Sequence, residues 1–323
     1  MPTLKTDDII YPGTNGLVLV VDGNNAMARA GHAFSQLTGP DGRPSGALFG
    51  ALKEVKRMLL MGKFKSIIFV KDAGRPAFRV EAVNRHAEDG DGYKAHRKEK
   101  RDAKAEKIHE DYLSQLDYCH KLMNTFGVHV VSARNWEADD VIGSLVYRYP
   151  EEKFTILSGD HDLWQLCLKG ARVYNPNKLE FVDRPADNYV LCRAVSGDKS
   201  DNIPGIRGVG EGTFNKLVEQ CGLEGINVPK KFCRILERKA RTLKKVPAAV
   251  TKIIAGKEAL ADYFKAMHLK NAKEAIDTIE IYEGIWDEKS AKKQCTKLGF
   301  KSLTMEWQSF SKAFADVAAR IGQ

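Results

Sequence analysis

Nine carboxylates fall in five short clusters, each placed where a strand would end or a helix begin. They are Asp22 in VVDGNN, Asp72 in IIFVKDAG, and Glu137, Asp139 and Asp140 in WEADDVIG, then Asp160 and Asp162 in TILSGDHD and Asp198 and Asp201 in SGDKSDNIPG. Glu137 and Asp140 are three apart and share a face of a helix start, with Asp139 projecting differently. Asp160 and Asp162 are two apart and point the same way in an extended segment, and Asp198 and Asp201 again share a helical face. Carboxylates crowded at one sheet edge repel one another unless a hard divalent cation neutralises them. Same-side pairs of this kind suit two Mg²⁺ or Mn²⁺ ions ~3.5–4 Å apart, which can activate a water and stabilise the leaving oxygen of an in-line displacement at phosphorus. Asp also caps helices and closes turns. That suffices for Asp183 in LEFVDRP and for any one acid taken singly, but not for the clusters in this register.

Two further features favour a phosphate-bearing ligand. The stretch GIRGVGEGTFNKL carries a glycine turn at Gly208–Gly210, with Gly205 just upstream and Lys216 just downstream. A tight turn into a helix start exposes backbone N–H groups and adds the helix dipole, and both attract phosphate. The segment Tyr93–Lys107, YKAHRKEKRDAKAEK, holds seven Lys or Arg against three acids. With almost no apolar residue it cannot bury a face, so it reads as a solvated arm, disordered or a polar helix. Tyr93 beside Lys94, His96 and Arg97 could stack a base while cations hold its phosphate. Lys98, Lys100, Arg101 and Lys104 follow as further phosphate contacts. His161, between Asp160 and Asp162, would point away from the acids in an extended segment, and His32 and His96 read as packing or phosphate-facing groups.

The elements that must position these residues are legible in the apolar runs. Leu17–Val21, Ser66–Val70, Val128–Val131, Phe154–Leu157 and Ala171–Tyr174 suit strands buried on both faces. Helical stripes lie between them over Ala47–Met61, Ile108–Phe126 and Ala138–Tyr147. Strands alternating with helices predict a largely parallel α/β sheet, whose ligands bind at the carboxyl ends of the strands. From about residue 190 strand-like runs stop, a second basic segment spans Lys230–Lys245, and the last sixty residues read as amphipathic helices.

The chain has 323 residues and a net charge of +9. With acids gathered in a site, the remaining surface is more basic than the net value says, which favours a polyanionic partner. Six scattered cysteines without a CxxC pair argue against a disulfide framework or zinc site. The N-terminus lacks an apolar stretch of signal-peptide length and no run approaches a membrane span. The expectation is a cytoplasmic protein with no membrane association.

The order of motifs resembles the 5′-nuclease family: bacterial and phage 5′→3′ exonucleases or flap endonucleases, including the N-terminal nuclease domain of bacterial DNA polymerase I. The resemblance rests on VVDGNN, Arg29 with His32–Phe34, GRPSGA, VKDAGRPAFR, YKAHR, EADDVIG, SGDHD and GDKSDNIPGIRGVG, over Leu17 to Gly222. It implies a PIN-like α/β sheet with flanking helices, a helical arch and a helix–three-turn–helix module. The catalytic domain would be residues 1–190 with the arch at 76–107, followed by a DNA-binding region and helices over 191–323. By position, Asp22, Asp72, Glu137 and Asp139 would surround one ion and Asp160, Asp162, Asp198 and Asp201 a second, with Asp140 in either set. Lys94 and Arg97 would act on the scissile phosphate. Arg29 and Arg79 would contact phosphates, and the 205–210 turn would hold duplex backbone with a K⁺ ion. The arch would embrace a 5′ single strand. Two positions depart from the family pattern: His161 stands where Lys is usual, and Val83–Gly92 lacks the proline-rich pattern often seen before YKAHR.

The reading is a Mg²⁺-dependent 5′ nuclease acting on 5′ flaps and 5′ ends of duplex DNA, or on RNA–DNA hybrid. It would be a stand-alone monomer in a bacterial cytoplasm, or in a host's if phage-encoded. A PIN-type ribonuclease would share the acids but normally lacks the arch and the glycine-turn module. A non-catalytic structure-specific DNA-binding protein would have no use for nine clustered carboxylates.

Overall fold

The computed structural model of the chain describes residues 4–87, 92–95 and 102–321. They belong to two compact units. The first is built from Met1–Gly74, Asp102–Asp183 and Lys273–Gln323, the second from Arg75–Arg101 and Arg184–Ala272.

The first unit holds a seven-stranded sheet. Its strands are β1 (Leu17–Asp22), β2 (Phe64–Val70), β3 (His129–Ala133), β4 (Phe154–Leu157), β5 (Arg172–Asn175), β6 (Glu180–Phe181) and β7 (Ile279–Tyr282), in the order β6-β5-β4-β1-β2-β3-β7. The five inner strands are parallel, and β6 and β7 pair antiparallel at the two edges. β2 and β3 are buried along their whole length and β1 along all but its first residue, so helices must cover both faces. From β1 the chain moves outward through β2 and β3, then crosses back to place β4 on the other side of β1. That reversal opens a crevice at the carboxyl ends of β1 and β4.

The apolar stripes fold as expected, with informative differences at their ends. The first runs Gly46–Leu59 and stops before Leu60 and Met61, which leave the buried face. The stripe expected over 108–126 is two helices, Ala103–Asp117 and Cys119–Met123, broken at Tyr118. The longer one starts at Asp102, whose Oδ1 accepts from the Ala105 N–H at 2.7 Å, so residues 103–107 of the polar arm are helical. β7 corrects the expectation that strands end near residue 190. IEIY alternates half-buried and exposed positions, and an edge strand partly covered on one face needs only that weak pattern. Further along, Trp307, Phe310 and Phe314 pack on Phe126, and the Phe126 and Phe314 rings lie 4.8 Å apart.

The second unit is helical. Ala77–Asn84, Tyr189–Ser196, Glu211–Cys221, Pro229–Ala240, Ala248–Ala255 and Lys257–Met267 surround a core that includes Leu191, Phe214, Phe232, Leu236, Ile253 and Leu260. All six cysteines are free thiols. Among the described residues no helix is long and apolar enough to cross a membrane.

Candidate active site

Four neighbouring parallel strands deliver acids at their carboxyl ends. Asp22 is the last residue of β1 and caps the helix Gly23–Ala33: its Oδ1 accepts from the Asn25 N–H at 3.0 Å and its Oδ2 from the Ser158 hydroxyl at 2.7 Å. Gly23 is required for this turn, because a Cβ there would lie 2.3 Å from the Phe69 ring and 2.6 Å from the Val70 carbonyl. Asp72 lies two residues beyond β2. Its N–H donates to Asn24 Oδ1 at 2.9 Å, and its Oδ1 accepts from the Ala138 N–H at 2.7 Å. The ends of β1 and β2 and the helix Ala138–Arg148 are thereby stitched together.

After β3, Glu137 and Asp140 form a reciprocal capping box at that helix start. One carboxylate oxygen each from Glu137, Asp139 and Asp140 lie within 4.8 Å of one another. The spacing predicted that Asp139 would project away from the other two. It does not, because Glu137 is an extended cap residue (φ −84°, ψ 159°), and helical angle counting fails across it. After β4, Ser158 links two acids, donating to Asp22 and accepting from the Asp160 N–H at 3.0 Å. Asp160 Oδ1 in turn accepts from the Asp162 N–H at 2.9 Å. This segment is a turn into the 3₁₀ helix Asp162–Lys169 rather than an extended strand, so the alternation argument does not apply to it. His161 packs its ring on Trp164 at 4.1 Å.

Burial raises the Asp22 carboxyl to about 6. The Asn25 and Ser158 hydrogen bonds oppose the rise, while the charges of Asp72 and Asp139 add to it. Capping and coordination do not compete, since a carboxylate offers about four lone-pair sites. The donors gathered here are hard oxygens, and the triad contains no imidazole or thiolate. That set fits Mg²⁺, Mn²⁺ or Ca²⁺ in preference to softer ions.

In the second unit, Asp198 closes a turn and Asp201 lies within it, so they do not share a helical face. Asp198 and Ile203 exchange two backbone hydrogen bonds at 2.8 Å, and Asn202 is left-handed (φ 59°). Asp198 pairs with Arg193. Burial would raise its pKa, but the Ser200 hydrogen bonds and the Arg193 charge outweigh it and hold the carboxyl low. Lys94 is where the predicted residues converge. Its Nζ is 3.6 Å from Asp201 Oδ2 and 4.8 Å from the Tyr93 ring centroid, and its N–H donates to the Asp201 carbonyl at 3.0 Å. The Lys94 side chain is only 9% exposed and its φ is 57°, a strained setting for lysine. Tyr93 is buried in the unit's core, with its hydroxyl donating to Asp201 Oδ2 at 3.1 Å, so as placed it packs in that core.

Arg79 is buried, with Nε donating to the Ala266 carbonyl at 2.9 Å. In the first unit Arg29 pairs with Glu54, and Lys104 lies in the first turn of the helix Ala103–Asp117. Gly205 (φ 66°) and Gly208 (φ 77°) adopt left-handed conformations, whereas Gly210 is the extended cap of the helix Glu211–Cys221, on which Lys216 is exposed. Arg97, Lys98, Lys100 and Arg101 lie outside the described residues, as do His96 and the stretch 88–91. Sequence reasoning passed over Asn24, Asn25, Ser158 and Arg193, which orient the acids. Asn24, Asn25 and Ser158 stand inside the acidic motifs themselves, and that adjacency is the signal that could have found them.

The family model described as the 5′-3′ exonuclease, N-terminal resolvase-like domain, matches residues 17–190, just over half of the chain. The chain belongs to the 5′→3′ exonuclease family. It is 34% identical over 219 residues to the thermostable DNA polymerase I of Thermus aquaticus, a match covering 64% of this chain and 24% of that protein. The chain thus spans about a quarter of the length of the curated relatives it matches. Among solved structures it is similar to a bacteriophage T5 D15 flap endonuclease variant in complex with DNA and metal ions, at TM-score 0.60 and 17% identity over 95% of this chain and 99% of that one. It is also similar to T5 5′-exonuclease with bound zinc, at TM-score 0.61 and 17% identity, covering 93% of this chain and 99% of that one. These likenesses establish the fold as the PIN-like α/β fold of 5′ nucleases.

Proposed function

We propose that this family member is a divalent-metal-dependent 5′ nuclease, acting as a 5′→3′ exonuclease and a flap endonuclease on DNA with 5′ flaps or 5′ ends, or on RNA–DNA hybrid. The observation that carries the reading is the convergence of Asp22, Asp72, Glu137, Asp139, Asp140 and Asp160 at the carboxyl ends of four adjacent strands, each oriented by backbone or side-chain hydrogen bonds. The similar T5 enzymes were solved with DNA and metal ions and with zinc, which supports both the ligand and the substrate class.

Asp22, Asp72, Glu137, Asp139 and Asp140 would hold one Mg²⁺ or Mn²⁺, and Asp160, Asp162, Asp198 and Asp201 are proposed as ligands of a second. Bound ions would supply the positive charge that an attacking water and a leaving oxygen need in an in-line displacement. Lys94 would present its ammonium to the phosphate as negative charge builds on it, with Arg97 as its companion. The 205–210 turn would take duplex phosphates with K⁺ on its carbonyls, and the arch would take the single strand. The protein would act as a cytoplasmic monomer.

The deciding experiment incubates the chain with a labelled 5′-flap duplex in Mg²⁺ and in EDTA. Release of the flap in Mg²⁺ alone is expected. Binding without cleavage in Mg²⁺ and Mn²⁺ would leave a DNA-binding protein, and cleavage confined to an all-RNA strand would leave a ribonuclease.

A further inference from the structure

The basic segment Lys230–Lys245 has no part in the reading above. In the second unit, the helix Pro229–Ala240 buries Pro229, Phe232, Cys233 and Leu236. Counted at roughly 100° per residue, Lys230, Lys231, Arg234, Arg238 and the cap residue Arg241 fall within an arc of about 100°, opposite the buried stripe. All five are exposed, and among the described residues none of them forms an ion pair. Glu237, the single acid, sits at the edge of this arc and is engaged by Lys257 Nζ at 3.2 Å.

A merely solvated helix face mixes the two signs and puts acids in its first turn, where the helix dipole is positive. This helix has no acid there and carries Lys230 and Lys231 instead. Lys230, Arg234 and Arg238 are like charges at successive i, i+4 positions, which repel. A polyanion removes both penalties. The stripe's cations rise about 6 Å per four residues, against about 3.4 Å per phosphate along one strand of a duplex. Successive cations can therefore meet roughly alternate phosphates. The arc is also anchored to the glycine-turn helix. Phe232 packs its ring on Phe214 at 5.5 Å, and a Cβ at Gly208 would meet Lys252 Nζ at 2.6 Å, so a further cation lies at that turn.

We infer that the Lys230–Arg241 arc is a second duplex-binding surface, taking backbone phosphates beyond those at the glycine turn. The inference shares the proposed DNA ligand but not the proposed hydrolysis. Its test is therefore a binding experiment in EDTA with a plain duplex carrying no flap, using the full chain. The triple variant Lys230→Gln, Arg234→Gln, Arg238→Gln should bind about tenfold more weakly at low salt, and its slope of log K against log salt should fall by about 0.9 for each phosphate lost. Arg234→Lys with Arg238→Lys should keep the slope, because the contact is a point charge on phosphate. A triple variant with unaltered helical circular dichroism, affinity and slope would overturn the inference. So would a loss seen with polyglutamate and not with duplex, which would assign the face to an acidic protein. Absence of flap cleavage by the unaltered chain would sink the nuclease reading and leave this measurement standing.

Discussion

At the carboxyl ends of the first unit's strands charge is negative, crowded and fixed. In the second it is mostly positive, spread along exposed helices and turns. Asp22, Asp72 and Asp160 each accept a hydrogen bond that sets the carboxylate's direction, and Glu137 and Asp140 lock each other. Lys216, Lys230 and Arg234 stand exposed on their helices with no such constraint. The difference matches what the two proposed ligands would ask for. A small divalent ion demands ligand atoms in a near-fixed geometry, whereas a phosphate chain screened by counterions asks only that a cation reach it. Lys94 is the exception. It is nearly buried, left-handed in backbone and tied to Asp201, so it is built like the acids although it carries the opposite charge. That construction is what the proposed role on the reacting phosphate asks of it, and it is unlike that of the exposed lysines.

The comparison breaks most visibly at the triad. Asp139→Asn keeps the side chain's size but removes a formal charge from a set of carboxylate oxygens within 4.8 Å. Flap cleavage should be nearly abolished, with DNA binding retained or tighter because a charge repelling phosphate is gone. Single-turnover cleavage in Mg²⁺ within about tenfold of the unaltered chain would remove Asp139 from the metal site. Next in size is Lys94→Ala, expected to lower kcat by ~10²–10³, the loss usual for one electrostatic donor to a transition state. Affinity should change far less. If binding weakens and the saturating rate does not, Lys94 belongs with the exposed lysines after all.

Strand existence, the parallel core and the positions of the acids were legible because buried parallel strands announce themselves as apolar runs, and those runs ended in the acids. Side-chain direction was not. Counting at 3.6 or 2 residues per period assumes a regular element, yet Glu137, Asp160 and Asp198 all sit at caps and turns where neither period holds. β7 was missed because an edge strand of four residues, half-buried on one side, carries little signal against the helices around it. The packing of Tyr93 depended on Asn84, beyond the reach of either period, and on Asp201, distant in sequence; neither is visible to local pattern.

A smaller effect should come from the residues that orient the acids. Ser158 touches both Asp22 and the Asp160 N–H. Ser158→Ala should weaken Mn²⁺ binding by about 10–100-fold, as loss of an outer-shell partner does, while tryptophan fluorescence and Tm of the metal-free protein change little. Metal titrations should also carry a pH signature. The Asp22 carboxyl is raised from its ordinary 3.8 to about 6 in the metal-free fold. Its contribution to stability is therefore present below 3.8 and lost as pH rises through about 6. Metal requires the ionised form, so its affinity should fall as pH drops below about 6 and binding there should release a proton. Affinity flat between pH 5 and pH 7 by calorimetry would show that Asp22 is not a ligand.

The smallest expected effect separates the two glycines of the turn. Gly208 has φ 77°, and a Cβ there would meet Lys252 Nζ, so Gly208→Ala strains the fold and should lower Tm whatever binds nearby. Gly210 has φ −82° and no atom within 4 Å of a built Cβ, so the protein itself accommodates Gly210→Val. A valine at this cap leaves the N–H groups of the following turn in place but covers the approach to them. Duplex affinity should fall modestly, and the slope of log K against log salt should drop by about one or two phosphate contacts, near 0.9 each. Tm should stay within a few degrees, since an altered cap without strain is worth about 1 kcal/mol. If Gly210→Val leaves affinity and slope unchanged while Gly208→Ala lowers Tm, both glycines serve only the turn. The positive arc on Pro229–Ala240 would then be left as the principal duplex contact of the second unit.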